Sequence, residues 1–157
     1  MTAPTQKKLP QMKPAETKPP ETKTLDQLRA KHAWDRIQEV VRVGFEDKNG
    51  KKVLTKEGKE FGTQVKKLPT RIIAAGLGQA LAFLEAKESA PALHRALTDW
   101  IEQRRPADGG EDRTLLIRLI RGNADFQRYA TAECLAYLVW LVRFADACKL
   151  TDSVQEG

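Results

Sequence analysis

The sequence is poor in the residues that most site chemistry requires. It has two cysteines, Cys134 and Cys148, and two histidines, His32 and His94. If both cysteines lie on one helix, their separation is about 21 Å at 1.5 Å per residue, beyond the reach of a disulfide. They then share a helix face, where small apolar filler is their default role. Neither histidine has a cysteine, a second histidine or paired carboxylates at a spacing that closes a metal site. No nucleophile elbow, phosphate-binding loop, zinc cluster or closely paired carboxylate motif is present. Enzymatic activity, a cofactor and a small-molecule substrate are therefore not expected. Long apolar runs are absent too. The longest, Leu135 to Val142, has eight residues, against the roughly 20 that cross a bilayer. The first residues carry neither the apolar segment of a signal peptide nor the Arg-rich, acid-poor character of a transit peptide. Together these absences predict a cytoplasmic protein with no membrane partner.

What is present is charge and helical periodicity. Twenty-seven Lys and Arg stand against 21 Asp and Glu, a net +6 with an isoelectric point near 9.4, and a basic balance favours a polyanionic partner. Half of the surplus sits in residues 1–23, where Lys7, Lys8, Lys13, Lys18 and Lys23 face only Glu16 and Glu21. That stretch also holds five of the eight prolines and few large apolar residues. It cannot offset its ordering entropy by burial, so residues 1–23 are predicted to be a disordered basic tail, either a solubilising leader or an arm toward nucleic acid. Residues 24–150 are predicted to form one helical domain and 151–157 a disordered C-terminus. With 41% apolar residues, a chain of this length supports a single core without staples.

Thr24 is a good N-cap for a first helix that ends near Gly44. Asn49-Gly50 then signals a type I′ turn, giving a small hairpin or a mobile loop near residues 45–54. A second helix starts at Thr55, runs through Phe61, Val65 and Leu68, and is expected to stop near Pro69, because the residue before proline is pushed out of helical geometry. Pro69 would then open a third helix reaching about Lys87. Gly76 and Gly78 each cost about 1 kcal/mol in a helix interior, so close packing or a local kink must compensate. A fourth helix begins around Ser89-Ala90-Pro91, carries Leu93, Leu97, Trp100 and Ile101, and ends at Arg104-Arg105-Pro106. Asp108-Gly109-Gly110 reads as a loop. A fifth runs from about Glu111 to Arg121 with Gly122 as its C′ residue. The sixth, from Asn123 to about Lys149, follows the 3.6 period through seven turns and is the expected spine. The fold class is all-α, a compact single-domain bundle of about six helices.

Residues 71–81 superficially suggest a dinucleotide-binding turn. Leu81 occupies the place of the third glycine and no second βαβ unit follows, which leaves tight helix packing as the reading. Trp34, Trp100 and Trp140 fall on apolar stripes or at their edges, where core packing outweighs base stacking. Candidate nucleic-acid contacts are therefore cationic: Lys66, Lys67 and Arg71 around the Pro69 corner, then Arg118, Arg121, Arg128 and Arg143 on the last two helices. Such groups neutralise phosphates without reading bases. An ordinary solvated basic face is the competing reading.

Two segments go further. Leu68-Pro69 followed by Ile72, then Gly76-Leu77-Gly78-Gln79-Ala80-Leu81-Ala82-Phe83-Leu84, resembles the signature of the small helical subunit of the type III-B CRISPR effector, the Cmr complex. Tyr129-Ala130-Thr131-Ala132-Glu133, with Trp140-Leu141-Val142-Arg143-Phe144-Ala145 downstream, is similar to that family's C-terminal helix. Between them Trp100-Ile101 matches its mid-chain pair. Ala75 departs from the family's frequent Asn, the N-terminal tail is extra, and the Asp47 to Lys52 excursion is longer than the family norm. The resemblance spans most of residues 24–149. It implies a non-catalytic all-α subunit that lines the groove for crRNA and target RNA with a basic face and bridges other Cmr-type subunits and copies of itself. Base pairing then supplies specificity and the protein supplies shape and charge. A protein-interaction module, or the small subunit of the related type III-A complex, is the alternative reading.

Overall fold

The computed structural model describes residues 22–108 and 114–152. Nearly all of the expected tail, the Gly109-Gly110 turn, the expected start of the fifth helix at Glu111 and residues 153–157 lie outside the described residues. Within them the order is α1 (Leu25–Gly44), β1 (Phe45–Lys48), β2 (Lys51–Leu54), α2 (Lys56–Ala75), α3 (Leu77–Ala86), α4 (Pro91–Arg104), α5 (Leu115–Arg121) and α6 (Ala124–Ala147). The class is all-α, as expected.

Helix starts follow the capping chemistry. The Thr24 hydroxyl accepts from the Gln27 N–H while the Gln27 side chain accepts from the Thr24 N–H, a full capping box. Thr55, Thr114 and Asn123 cap α2, α5 and α6 in the same way with one side-chain bond each. The alternative left open at residues 45–54 resolves as a hairpin: Phe45 pairs with Leu54 and Lys48 with Lys51. Asn49 and Gly50, at φ 53° and 79°, supply the positive angles that a type I′ turn needs.

The expected break at Pro69 is not there. Pro69 lies inside α2, which runs on to Ala75. Proline removes one ladder bond and strains the preceding turn, yet the buried positions Phe61, Val65, Leu68 and Ile72 keep spacings of four, three and four across it. One apolar face therefore continues through the proline, and burying it outweighs the lost bond. The chain turns instead at Gly76, whose φ of +92° is unfavourable for any residue with a Cβ. Of the two compensations expected for the glycines, the kink is realised. Close packing is not, because a Cβ on Gly76 or Gly78 would meet nothing within 4 Å. Gly122 likewise differs from expectation. Its φ of −83° and ψ of 175° are extended and not the left-handed C′ conformation.

α6 is the spine, burying Ala130, Cys134, Tyr137, Leu138, Leu141 and Ala145. Arg29 reaches Glu133 and Gln38 reaches Cys148, so α1 runs alongside α6 in the same sense. Gly62 meets Leu150 and Lys66 meets Asp146, so α2 runs antiparallel to it. Trp100 is core, stacked on Tyr137 with centroids 5.4 Å apart and planes within 5°. Trp34 is 43% exposed and packs edge-on against Phe144, a correction to its expected core role. Trp140 is half-buried beside the same ring and donates to Asp26 at 3.0 Å. Both cysteines are free, Cys134 buried and Cys148 partly so. At the end of α6, Lys149 takes a left-handed conformation and the Leu150 N–H returns to the Ala145 carbonyl. This closure buries Leu150 and Thr151 against α2.

The two histidines make stability depend on pH. His32 is buried, shares a hydrogen bond with the Tyr137 hydroxyl through Nδ1, and lies 3.6 Å from Asp99 through Nε2. Burial, then the field of Arg36, holds its pKa below the ordinary imidazole value against the opposing pull of Asp99 and Asp35. Burial does the same to His94, opposed by Glu85. A base with a depressed folded pKa binds more protons when unfolded, so its contribution is complete above about pH 6.5 and is lost as pH falls below that value. The urea midpoint should therefore drop between pH 7.5 and 5.5, and His32→Gln should flatten part of that drop. Superimposable curves for wild type at the two pH values would contradict it.

Candidate nucleic-acid interface

Because α2 continues through Pro69, its three candidate cations lie on one helix and not around a corner. Lys67 and Arg71, four residues apart, share a face, whereas Lys66 is turned about 100° away. Lys66 faces α6 and forms an ion pair with Asp146 at 3.3 Å. Arg71 donates to the Gln64 side-chain oxygen at 2.7 Å and lays its guanidinium 4.1 Å from the centre of the Phe83 ring, which Lys87 also approaches. Lys67 is exposed and has no ion pair among the described residues.

On the last two helices the engagement also varies. Arg118 is held by Glu102 at 3.2 Å with only 12% of its side chain exposed and sits over the Phe126 ring at 4.6 Å. Arg128 pairs with Asp125 on the preceding turn. Arg121 and Arg143 are exposed and carry no ion pair among the described residues. Arg128 stands on an open face of α6 with Ala124, Gln127, Thr131, Ala132 and Leu135. Arg143 stands fifteen residues further along α6, about 22 Å away.

The seven predicted residues therefore fall into groups and not into one continuous face. Arg118, Arg121 and Arg128 gather where α5 meets the start of α6. Lys66 and Arg143 lie toward the other end of α6, with Lys67 and Arg71 further along α2. Three of the seven, Lys67, Arg121 and Arg143, combine exposure with freedom from carboxylates among the described residues. Two cations that sequence reasoning treated only as a helix end, Arg104 and Arg105, join the first group. Arg105 places its guanidinium 3.8 Å from the centre of the Tyr129 ring, and Arg104 lies 5.8 Å from the centre of the Trp100 ring. The signal was an Arg-Arg-Pro step combined with Phe126 and Tyr129 three residues apart, a spacing that puts both rings on one helix face.

Among the described residues no group of three or more His, Cys, Asp or Glu side chains is placed to hold a metal ion, and no helix is long and apolar enough to cross a membrane. What the arrangement offers is fixed positive charge on rigid helices, interleaved with aromatic rings.

Comparison with known families agrees with the resemblance drawn from the motifs. The family model described as CRISPR-associated protein (Cas_Cmr5) matches residues 25–148, from the first residue of α1 to the residue after α6. Every helix described above lies inside the match, including the Pro69 and Gly76 segment and the Trp140 to Ala145 segment on which the resemblance rests. This chain accordingly belongs to the Cas_Cmr5 family of CRISPR-associated proteins, the Cmr-type subunits.

Proposed function

We propose that this chain is the non-catalytic small subunit of a type III-B RNA-guided, RNA-targeting effector, holding crRNA and target RNA by their phosphates while it bridges neighbouring subunits and copies of itself in the cytoplasm. Family membership supplies the complex. The observation that carries the RNA role is the set of exposed cations, Lys67, Arg121 and Arg143, that no carboxylate among the described residues neutralises. Arg128 and the more tightly held Lys66, Arg71 and Arg118 add further positive charge on α2, α5 and α6. The bridging role draws support from apolar exposure where α2 runs beside α6. Ile73 is 75% and Val139 51% exposed. In the antiparallel register fixed by Lys66 and Asp146, seven residues forward on α2 and seven back on α6 bring these two to the same level. We read this apolar exposure as the start of a surface for a neighbouring subunit.

The test is charge reversal of the free cations. Contact with about four phosphates should give a slope of log affinity against log salt near −3, at roughly 0.7 per phosphate of single-stranded RNA. Lys67→Glu, Arg121→Glu and Arg143→Glu together should flatten that slope by about 2 and weaken target-RNA retention by the assembled complex, with the melting temperature of the chain preserved. Unchanged affinity across the salt titration would remove these residues from the interface.

A further inference from the structure

The corner between α4, α5 and α6 holds two neighbouring aromatic rings flanked by two guanidinium groups, an arrangement that phosphate contact does not require. Its order is Arg105, Tyr129, Phe126, Arg118. Arg105 lies 3.8 Å from the centre of the Tyr129 ring, Tyr129 and Phe126 have centroids 6.5 Å apart, and Arg118 lies 4.6 Å from the centre of Phe126. The two ends differ. Arg118 is nearly covered and tied to Glu102. Glu102 also accepts from the Ala107 N–H, fixing the turn after α4 to α5 and closing that end. Arg105 is exposed, with no carboxylate partner among the described residues. Its backbone is nonetheless set, because its N–H is bonded to the Ile101 carbonyl at 2.7 Å and Pro106 follows it. One face of its guanidinium lies against Tyr129. Among the described residues no other ring or carboxylate meets this exposed guanidinium.

We infer that this open rung receives one unpaired nucleobase of single-stranded RNA, stacked on the outer face of Arg105, with Arg104 and Arg121 serving the phosphates on either side. The chemistry favours this over a phosphate contact alone. Unpaired bases in RNA are recognised by stacking on aromatic rings or guanidinium planes, and a planar cation already supported from below by a ring has less freedom to lose when a base lands on it. Such stacking tolerates any base, because every base has a π-face, so it adds affinity without a sequence code. The inference rests on the RNA-binding reading above and specifies which RNA feature this corner takes.

The test uses the full chain and a single-stranded RNA octamer carrying 2-aminopurine, with an RNA duplex of the same length beside it. Wild type should quench the probe fluorescence and prefer the single strand. Arg105→Lys keeps the charge and removes the plane. It should weaken single-strand binding by about fivefold or more, abolish the quench, and leave both the salt slope and duplex binding unchanged. Arg105→Gln should likewise weaken single-strand binding and abolish the quench, and in addition flatten the slope by roughly 0.7. Tyr129→Leu should reproduce the loss of quench, and the Arg105 variants carry the test if that core-edge substitution fails to fold. Full salt-dependent binding by wild type with Arg105→Lys indistinguishable from it would overturn the stacking rung alone. No binding of either RNA by wild type at low salt would overturn the RNA reading itself.

Discussion

Gly62→Ala should lower the unfolding free energy by about 3 kcal/mol, the upper end of overpacking costs, and Gly58→Ala should come close to it. A Cβ on Gly62 would stand 2.0 Å from the Leu150 carbonyl oxygen, and one on Gly58 would stand 2.3 Å from the Gly44 carbonyl oxygen. Both obstacles are backbone, so no side-chain rotation relieves them. The Leu150 carbonyl is fixed by the closure of α6, in which the Leu150 N–H is bonded to the Ala145 carbonyl and the Leu150 side chain is fully buried. Moving it would open the seam between α2 and the end of α6. Moving Gly44 would disturb the Thr55 N–H bond to the Gly44 carbonyl at 2.9 Å, which closes the base of the hairpin. The intrinsic gain of alanine over glycine in a helix, about 1 kcal/mol, is too small to compensate. Gly78→Ala provides the opposite sign within the same fold: nothing stands within 4 Å of the added methyl, so it should be neutral or stabilising by up to about 1 kcal/mol. Urea midpoints of the three variants at pH 7.5 decide the matter. Equal effects of Gly62→Ala and Gly78→Ala would show that the close approach at Leu150 is not a constraint.

These glycines also show where the sequence stops being informative. Three helix starts were legible, because an N-cap is a local event: Thr24, Thr55 and Asn123 each bond to a backbone N–H three residues on. The spine was legible because its buried positions repeat at the helical period along one uninterrupted segment. Pro69 was misread because a local rule about backbone geometry competed with an apolar face completed by other helices. Gly58 and Gly62 carried no visible signal, since their partners are a residue in the preceding helix and a carbonyl 88 positions downstream. The candidate site divides in the same way. The cations could be named from the sequence, but their availability could not. Lys66 is engaged by Asp146, eighty residues away, and Arg118 by Glu102, sixteen away. Arg105 became a candidate only when folding set it on Tyr129.

Removing Glu133 should be the most damaging single polar substitution in the described bundle. Its carboxylate is almost completely covered, with 7% of the side chain exposed. It accepts from Arg29 Nη2 at 2.7 Å, from Arg29 Nε at 3.2 Å on both oxygens, and from the Trp100 indole N–H at 3.3 Å. One residue thus joins α1, α4 and α6, the three elements whose aromatic side chains meet at Tyr137. The bond to Glu133, opposed by burial, raises the pKa of Arg29, so the guanidinium cannot escape by losing its proton. Glu133→Ala leaves it charged and largely covered, with Asp26 as its remaining carboxylate, and leaves the Trp100 N–H without its acceptor. Breaking a buried pair from one side costs about 3 to 5 kcal/mol. Glu133→Gln keeps the shape and an acceptor oxygen but not the charge, and should cost less, about 1.5 to 3 kcal/mol. The decisive comparison is the double variant Arg29→Met with Glu133→Met. Replacing both partners by apolar side chains of similar length removes the uncompensated charge, so the double variant should be more stable than Glu133→Met alone by at least about 1 kcal/mol. If the two single changes simply add in chemical denaturation, Arg29 and Glu133 are not energetically coupled, and the junction of the three helices rests on the packing of Trp100 and Tyr137 instead.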